Sequence, residues 1–234
     1  MIAITDLTVQ FGGVRPLDAL NAELGAPIMG LIGPNGAGKT TLLNVLSGFV
    51  TPVSGTVSIG DIKLLDLSPV ERVRAGLRRS FQQELVVEDL TVVENIRSIA
   101  DHVCSRHEAA GDVDRAIEFV GLRARKNVIG RRLTLVERRM VEIAKTLVGK
   151  PKVILLDEPG AGLNDAETAR LRGALLEIPG AFNVQVVLID HDADLIAAVC
   201  GETMVLDFGK RLAIGPTRAV LDDPAVRRAY LGKA

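Results

Sequence analysis

Hydrophobic and polar positions divide this chain into stretches of distinct period. Ile2, Ile4, Leu7, Val9 and Phe11 recur in alternation and run into Gly12-Gly13, which predicts a strand and then a turn. "TVSIGD", Thr56 to Asp61, predicts a shorter strand closing on a glycine turn. Three other runs are apolar without alternation: Ile28 to Ile32, Val153 to Asp157 and Val184 to Asp190. Such runs suit strands covered on both faces, as in a parallel sheet. Ala166 to Ile178 reads as a helix of mixed charge between two of them. Alternating strands and helices of this kind argue for an α/β sheet with right-handed crossovers. From Leu90 to Leu147 the period is helical, punctuated by Gly111, Gly121 and Gly130, which predicts a helical insert between two parts of the sheet. "MVLDFGKRLAIG" predicts a hairpin turning at Gly209-Lys210, followed by a short helix ending near Gly232.

Composition narrows the class. At 234 residues and 47% hydrophobic content the chain can bury one sizeable core. A formal charge of -1 gives no support to a broad basic face for nucleic acid. Cys104 and Cys200 have neither metal-ligand nor framework spacing, so a reduced cytosolic setting is expected. The first residues carry no basic-then-apolar leader pattern, and no run reaches the roughly 18 apolar residues of a spanning helix. No direct membrane insertion is therefore expected; any membrane would be met through another protein.

The chemistry is concentrated between strand-like Ile28–Ile32 and the helix-forming run Thr40 to Leu46. Gly33, four residues, then Gly38, Lys39 and Thr40 match the G-x-x-x-x-G-K-[ST] loop. Along Asn35, Gly36, Ala37, Gly38, Lys39, Thr40 and Thr41 the backbone N–H groups can turn toward phosphate oxygens, and the helix N-terminus favours the same anion. Lys39 would reach the β- and γ-phosphates and Thr40 would ligate Mg²⁺. At the end of "VILLD", Asp157 stands where a Mg²⁺-supporting carboxylate belongs, and Glu158 can orient or deprotonate an attacking water. His191 follows the third buried run and is expected at the γ-phosphate. The expected ligand is a nucleoside triphosphate with Mg²⁺.

"GPNGAGKTT", "SFQQ", the helical insert, "LLDEP", "GLND" and "LIDHD" occur in that order over essentially the whole chain, which resembles the ATP-binding subunits of ABC transporters. The resemblance implies a P-loop NTPase core with an N-terminal antiparallel β portion and a helical subdomain. Residues 1–83 and 150–234 would form the core, and 84–149 the helical part. It implies ATP hydrolysis, head-to-tail pairing with a second ATPase subunit around two ATP molecules, and integral membrane permease partners. Gln82 would be the glutamine that senses Mg²⁺ and γ-phosphate, with Gln83 the alternative. Gly162, Leu163 and Asn164 would lie across the dimer interface. Phe11 stands where relatives often stack an aromatic ring on adenine; the other reading is a core phenylalanine in an edge strand.

One segment departs from the pattern. Where relatives read LSGGQ or LSYGQ, this chain reads "LTLVE", Leu133 to Glu137. Thr134 keeps a hydroxyl; Val136 replaces a glycine that lets backbone approach the partner's γ-phosphate. Thr134 and Glu137 also fit an ordinary S/T-x-x-E helix cap, and the two readings are compatible. The expectation is a weaker half of an asymmetric pair of sites. "LRRSFQQELVVEDLTVVENI" and "DDPAVRRAYLG" resemble branched-chain amino acid uptake ATPases. That implies an importer subunit on the cytoplasmic face of the membrane. The competing readings are a lipid or lipopolysaccharide exporter ATPase, a soluble nucleic-acid-associated ABC ATPase and a small P-loop kinase.

Overall fold

The computed structural model describes residues 1–231, so Gly232, on which the closing helix was expected to end, lies outside the described residues. Along the chain run β1 (Ile2–Phe11), β2 (Val14–Leu24), β3 (Ile28–Ile32), α1 (Lys39–Ser47), β4 (Ser54–Ile59), β5 (Ile62–Lys63) and α2 (Pro69–Arg74). Then come β6 (Leu77–Arg79), α3 (Val92–Val103), α4 (Arg106–Phe119), α5 (Leu135–Leu147), β7 (Val153–Asp157) and α6 (Asp165–Phe182). The chain closes with β8 (Gln185–Ile189), α7 (Ala193–Val199), β9 (Glu202–Asp207), β10 (Lys210–Pro216), α8 (Thr217–Asp222), α9 (Pro224–Val226) and a π turn, Arg227–Leu231. These elements gather into two compact units: residues 1–72 with the segment from Gln185 onward, and residues 73–184.

In the first unit an antiparallel sheet has the order β2-β1-β4-β5. The alternation in β1 changes parity between Ile4 and Leu7, and the structure shows why. A register shift falls there, with Asp6 at φ +47°, so Ile2, Ile4, Leu7 and Val9 are all buried. β2 has no counterpart in the sequence expectations. "VRPLDALNAEL" mixes Pro16 with leucine and alanine, yet it pairs with β1 at Leu17↔Val9, Leu20↔Leu7 and Leu24↔Ile2 and buries all three leucines. Pairing to β1 overrides its weak strand propensity. In the second sheet of this unit β3 is flanked in parallel by β8 and β9, with β10 antiparallel on β9. All five residues of β3 are buried, as its unbroken apolar run requires. Buried Arg72 fastens the end of α1, its Nη1 donating to the carbonyls of Val45 and, at 3.1 Å, Leu46.

The second unit holds β6 and β7 in parallel register, Leu77↔Val153 and Arg79↔Leu155, together with helices α3 to α6. Three of these helices begin with reciprocal capping boxes: Thr91 with Glu94, Thr134 with Glu137, and Asn164 with Glu167. Helix α6 runs past Ile178 and through Pro179 to Phe182. Tertiary contacts sustain that last turn: the Phe182 ring packs edge-on against Phe119 at 5.0 Å, and the Arg115 guanidinium lies 4.6 Å above it.

Candidate functional site

The first unit carries the phosphate-loop residues. β3 delivers the chain to Gly33, whose φ is +148°; a Cβ there would stand 2.1 Å from the Leu206 carbonyl oxygen. Gly38, at φ +106°, would place a Cβ 2.3 Å from the Pro16 carbonyl oxygen. Both positions therefore demand glycine twice over, by dihedral and by space. Asn35 and Gly36 are exposed at the crest, while Ala37 is buried beneath them. The Gly209 N–H donates to the Ala37 carbonyl at 3.1 Å, fastening the β9–β10 hairpin to the loop. Lys39 is only 7% exposed, and its Nζ donates to the carbonyls of Gly33 at 2.6 Å and Pro34 at 2.9 Å. Its ammonium thus sits within the curve of the loop.

Helix α1 starts at Lys39 behind Gly38, with no side-chain cap and no acidic residue in its first turn. Thr40 is exposed there and Thr41 half-buried. The N-terminal positive end of the dipole is left to a ligand rather than to a carboxylate of the chain. The glycine clearances, the uncapped helix and the inward lysine together fit a polyphosphate.

β8 runs parallel to β3, with Ile28↔Val186 and Gly30↔Leu188, so His191 leaves the sheet at the same carboxyl edge as the phosphate loop. Asp190 and Asp192 shape that turn: Asp190 Oδ1 accepts from Asp192 N at 3.0 Å, and Asp192 Oδ1 caps α7. Tyr230 Oη donates toward the His191 carbonyl at 3.5 Å, and the imidazole is exposed. In open α/β sheets ligands bind outside this edge. Phe11 is 55% exposed at the β1–β2 turn, which disposes of the core reading for its ring.

The second unit carries the acidic residues. Asp157 ends β7 and is buried against Arg79, Nη2 to Oδ2 at 3.1 Å, with both side chains under 9% exposed. Burial draws the Arg79 guanidinium below its ordinary pKa, while the hydrogen bond and charge of Asp157 push it back up. Ser80 Oγ accepts from the Asp157 N–H at 3.2 Å. Glu158 holds φ at +53°, a conformation costing a non-glycine residue about 1–2 kcal/mol. Its Oε2 accepts from Gln82 Nε2 at 2.8 Å, so the structure brings those two predicted residues together. Gln83 is exposed beside them. The hydroxyl of Thr40, the amide oxygen of Gln82 and the carboxylate of Asp157 are all hard oxygen donors, the type Mg²⁺ takes alongside phosphate oxygens.

At the start of α5, Thr134 Oγ1 accepts from Glu137 N and the Glu137 carboxylate accepts from Thr134 N at 2.9 Å. Arg125 Nε also lies 2.9 Å from that carboxylate. Burial works against the charge of Glu137, yet the Thr134 N–H and Arg125 hold its carboxyl below the usual range. Val136 is buried, 7% exposed. Leu135 touches the loop of Gly162, where an added Cβ would meet Leu135 Cδ2 at 3.2 Å. Asn164 serves as the N-cap of α6, its Oδ1 accepting from Glu167 N at 3.0 Å.

Three supporting residues escaped the sequence reading. Arg79 and Ser80 stand just before the aromatic of "SFQQ", and both hold Asp157. Arg139 of α5, 8% exposed, donates from Nη1 to the Gln82 carbonyl at 3.5 Å and from Nη2 to the Ala161 carbonyl at 3.3 Å. The only signal was a charged residue at the buried phase of a helix, among Val136, Met140 and Ile143.

Residues 20–161 match the model of a family described as ABC transporter. The chain is 34% identical to the high-affinity branched-chain amino acid transport ATP-binding protein LivG of Escherichia coli (strain K12), covering 100% of this chain and 98% of that protein. It is 32% identical to the lipopolysaccharide export system ATP-binding protein LptB of Acidithiobacillus ferridurans, over 88% of this chain and 85% of that one. Among solved structures, the ADP conformation of an ATP-binding cassette of an ABC transporter superimposes with a TM-score of 0.87 at 26% identity, covering 100% of this chain and 99% of that one.

Proposed function

The chain belongs to the ABC transporter family as an ATP-binding subunit that hydrolyses ATP, and on that premise we propose that it powers an importer of branched-chain or related amino acids. Its likeness to LivG along the whole chain supports that cargo class. One observation carries the nucleotide reading: Gly33 and Gly38 have no room for a Cβ where the loop passes the Leu206 and Pro16 carbonyls, and Lys39 is turned inward beside them. That construction leaves main-chain amides and one ammonium to meet a triphosphate.

In this reading the amides of Asn35 to Thr41 bind the phosphates and Lys39 bridges β and γ oxygens. Mg²⁺, held by Thr40, Gln82 and Asp157 with phosphate oxygens, would neutralise charge on the transferred phosphoryl group. Glu158 takes the proton of the attacking water as the new O–P bond forms and the bond to the β-phosphate oxygen breaks. Gln82 fixes where the Glu158 carboxylate points, and His191 donates to the γ-phosphate. Phe11 stacks on the base.

Partners complete the proposal. Residues 84–149 form the helical subdomain, which presents Thr134 and Val136 to the nucleotide of a second ATP-binding subunit. Val136 makes that shared site the weaker of an unlike pair. Permease subunits anchor the assembly at the cytoplasmic face of the membrane. Among the described residues no helix of this chain is long and apolar enough to cross one. Likeness to LptB supports a second reading, an exporter ATPase for lipid or lipopolysaccharide.

The test has two stages. Calorimetry with Mg-ATP should show binding by the wild type and a large loss in Lys39→Ala; a folded wild type that ignores ATP overturns the nucleotide reading. The native complex, reconstituted in vesicles, should then accumulate leucine only with ATP. ATP hydrolysis stimulated by lipopolysaccharide, with no amino acid uptake, would replace the importer with the exporter.

A further inference from the structure

The β9–β10 hairpin ends in a feature that the phosphate site does not use. Phe208 is 86% exposed, the highest value among the large hydrophobic residues that face solvent. It also sits at φ +42°, a region aromatic residues rarely occupy. A lone exposed apolar residue is ordinary; one held in a costly conformation at a fixed place is less so.

The place is fixed by its neighbour. The Gly209 N–H donates to the Ala37 carbonyl at 3.1 Å, and the Gly209 carbonyl accepts from Asp18 N at 3.0 Å. A Cβ on Gly209 would stand 2.8 Å from the Pro16 oxygen and 3.0 Å from that of Arg15. The hairpin tip is thereby wedged between the phosphate loop and the start of β2. Two residues upstream of Pro16 is Val14, 67% exposed, register-paired with the 55% exposed Phe11. Pro16 also borders Gly38 in the phosphate loop. Phe11, Val14 and Phe208 thus leave apolar surface around the same loop, all within one compact unit.

We propose that Phe208 is a second aromatic contact for the nucleotide base, acting with Phe11, on the hairpin that also supports the phosphate loop. This rests on the reading of that loop as a triphosphate site. A triphosphate held there carries a ribose and a flat aromatic base away from the amides, and an exposed phenyl ring on a rigid tip offers a face for stacking. Nearby polar side chains are already engaged: Lys210 Nζ lies 3.2 Å from Asp18 Oδ2, Arg15 Nη1 lies 3.6 Å from Asp18 Oδ1, and the Gln10 amide donates to the Gly12 carbonyl and accepts from Arg15 Nε. Recognition is therefore by ring face and tolerant of base identity.

Calorimetry of the full chain with magnesium, using ATP, GTP and inorganic tripolyphosphate, separates the possibilities. Phe208→Ala should weaken ATP and GTP alike, by about 5- to 100-fold, and leave tripolyphosphate unchanged. Phe208→Tyr should restore both nucleotides. Unchanged ATP affinity in Phe208→Ala overturns the proposal. So does an equal loss for tripolyphosphate, which would mean the hairpin acts only through the loop backbone. A concentration-dependent change in oligomeric state with nucleotide affinity intact would instead give the ring to a second copy. Wild-type protein that binds neither ATP nor tripolyphosphate would remove the nucleotide reading itself and this inference with it.

Discussion

Replacing Arg79 with methionine tests the anchor of Asp157. The guanidinium stands 3.1 Å from the carboxylate, with side-chain exposures of 7% and 8%. At that separation two unit charges interact by about 5 kcal/mol with an effective dielectric of ~20, most of it offset by desolvating both groups. Methionine keeps much of the volume and removes the charge, so the cost comes from taking the guanidinium away from a buried carboxylate, about 3–5 kcal/mol. In a chain of this length that lowers Tm by roughly 6–20 °C. Urea unfolding followed by circular dichroism measures it. The double variant Arg79→Met/Asp157→Leu should recover most of the loss, because neither charge then remains. A loss below about 1 kcal/mol in Arg79→Met, the range of exposed pairs, would refute the assignment of this arginine as the anchor.

Glu158→Gln should cut the hydrolysis rate by about 10²–10⁴-fold while Mg-ATP affinity, read by calorimetry, stays near wild type. Val136→Gly should cost about 1.5–3 kcal/mol in unfolding experiments, since a buried side chain is lost, yet raise ATPase turnover in the presence of the partner subunit. An unchanged rate would discard the unlike-pair reading. Glu137→Gln should destabilise the protein by about 1 kcal/mol at neutral pH through its weakened cap. Because the folded carboxyl titrates below its ordinary 4.5, the stabilisation is present above that value and fades as pH falls through the folded one. Wild-type and Glu137→Gln melting curves should therefore converge in acid; a constant gap would refute the ionised cap.

The parts legible in sequence were those where one local demand fixes the residue type. β3, β7 and β8 each show a buried run of five residues or nearly so, and the loop after β3 needs glycine for two independent reasons. The cap of α5 could be read because Thr134 and Glu137 satisfy each other three residues apart. β2 was hidden, since its strand character comes from pairing with β1 rather than from its own composition. The end of α6 was hidden for a similar reason: Pro179 signals a stop that the Phe119–Phe182 contact overrides. Arg79 and Arg139 were unreadable because their partners, Asp157 and two carbonyls, lie far along the chain. Val136 differed in kind. Its identity was plain, but only the structure shows that its side chain is buried.

Arg139 has a mechanical consequence. It grips the Gln82 and Ala161 carbonyls from a single turn of α5, one turn beyond Thr134. A rigid rotation of this helix would pull both loops in step, as a crank moves two rods from one pin. The start of α5 is thereby joined through Arg139 to the loop whose side-chain amide hydrogen-bonds Glu158.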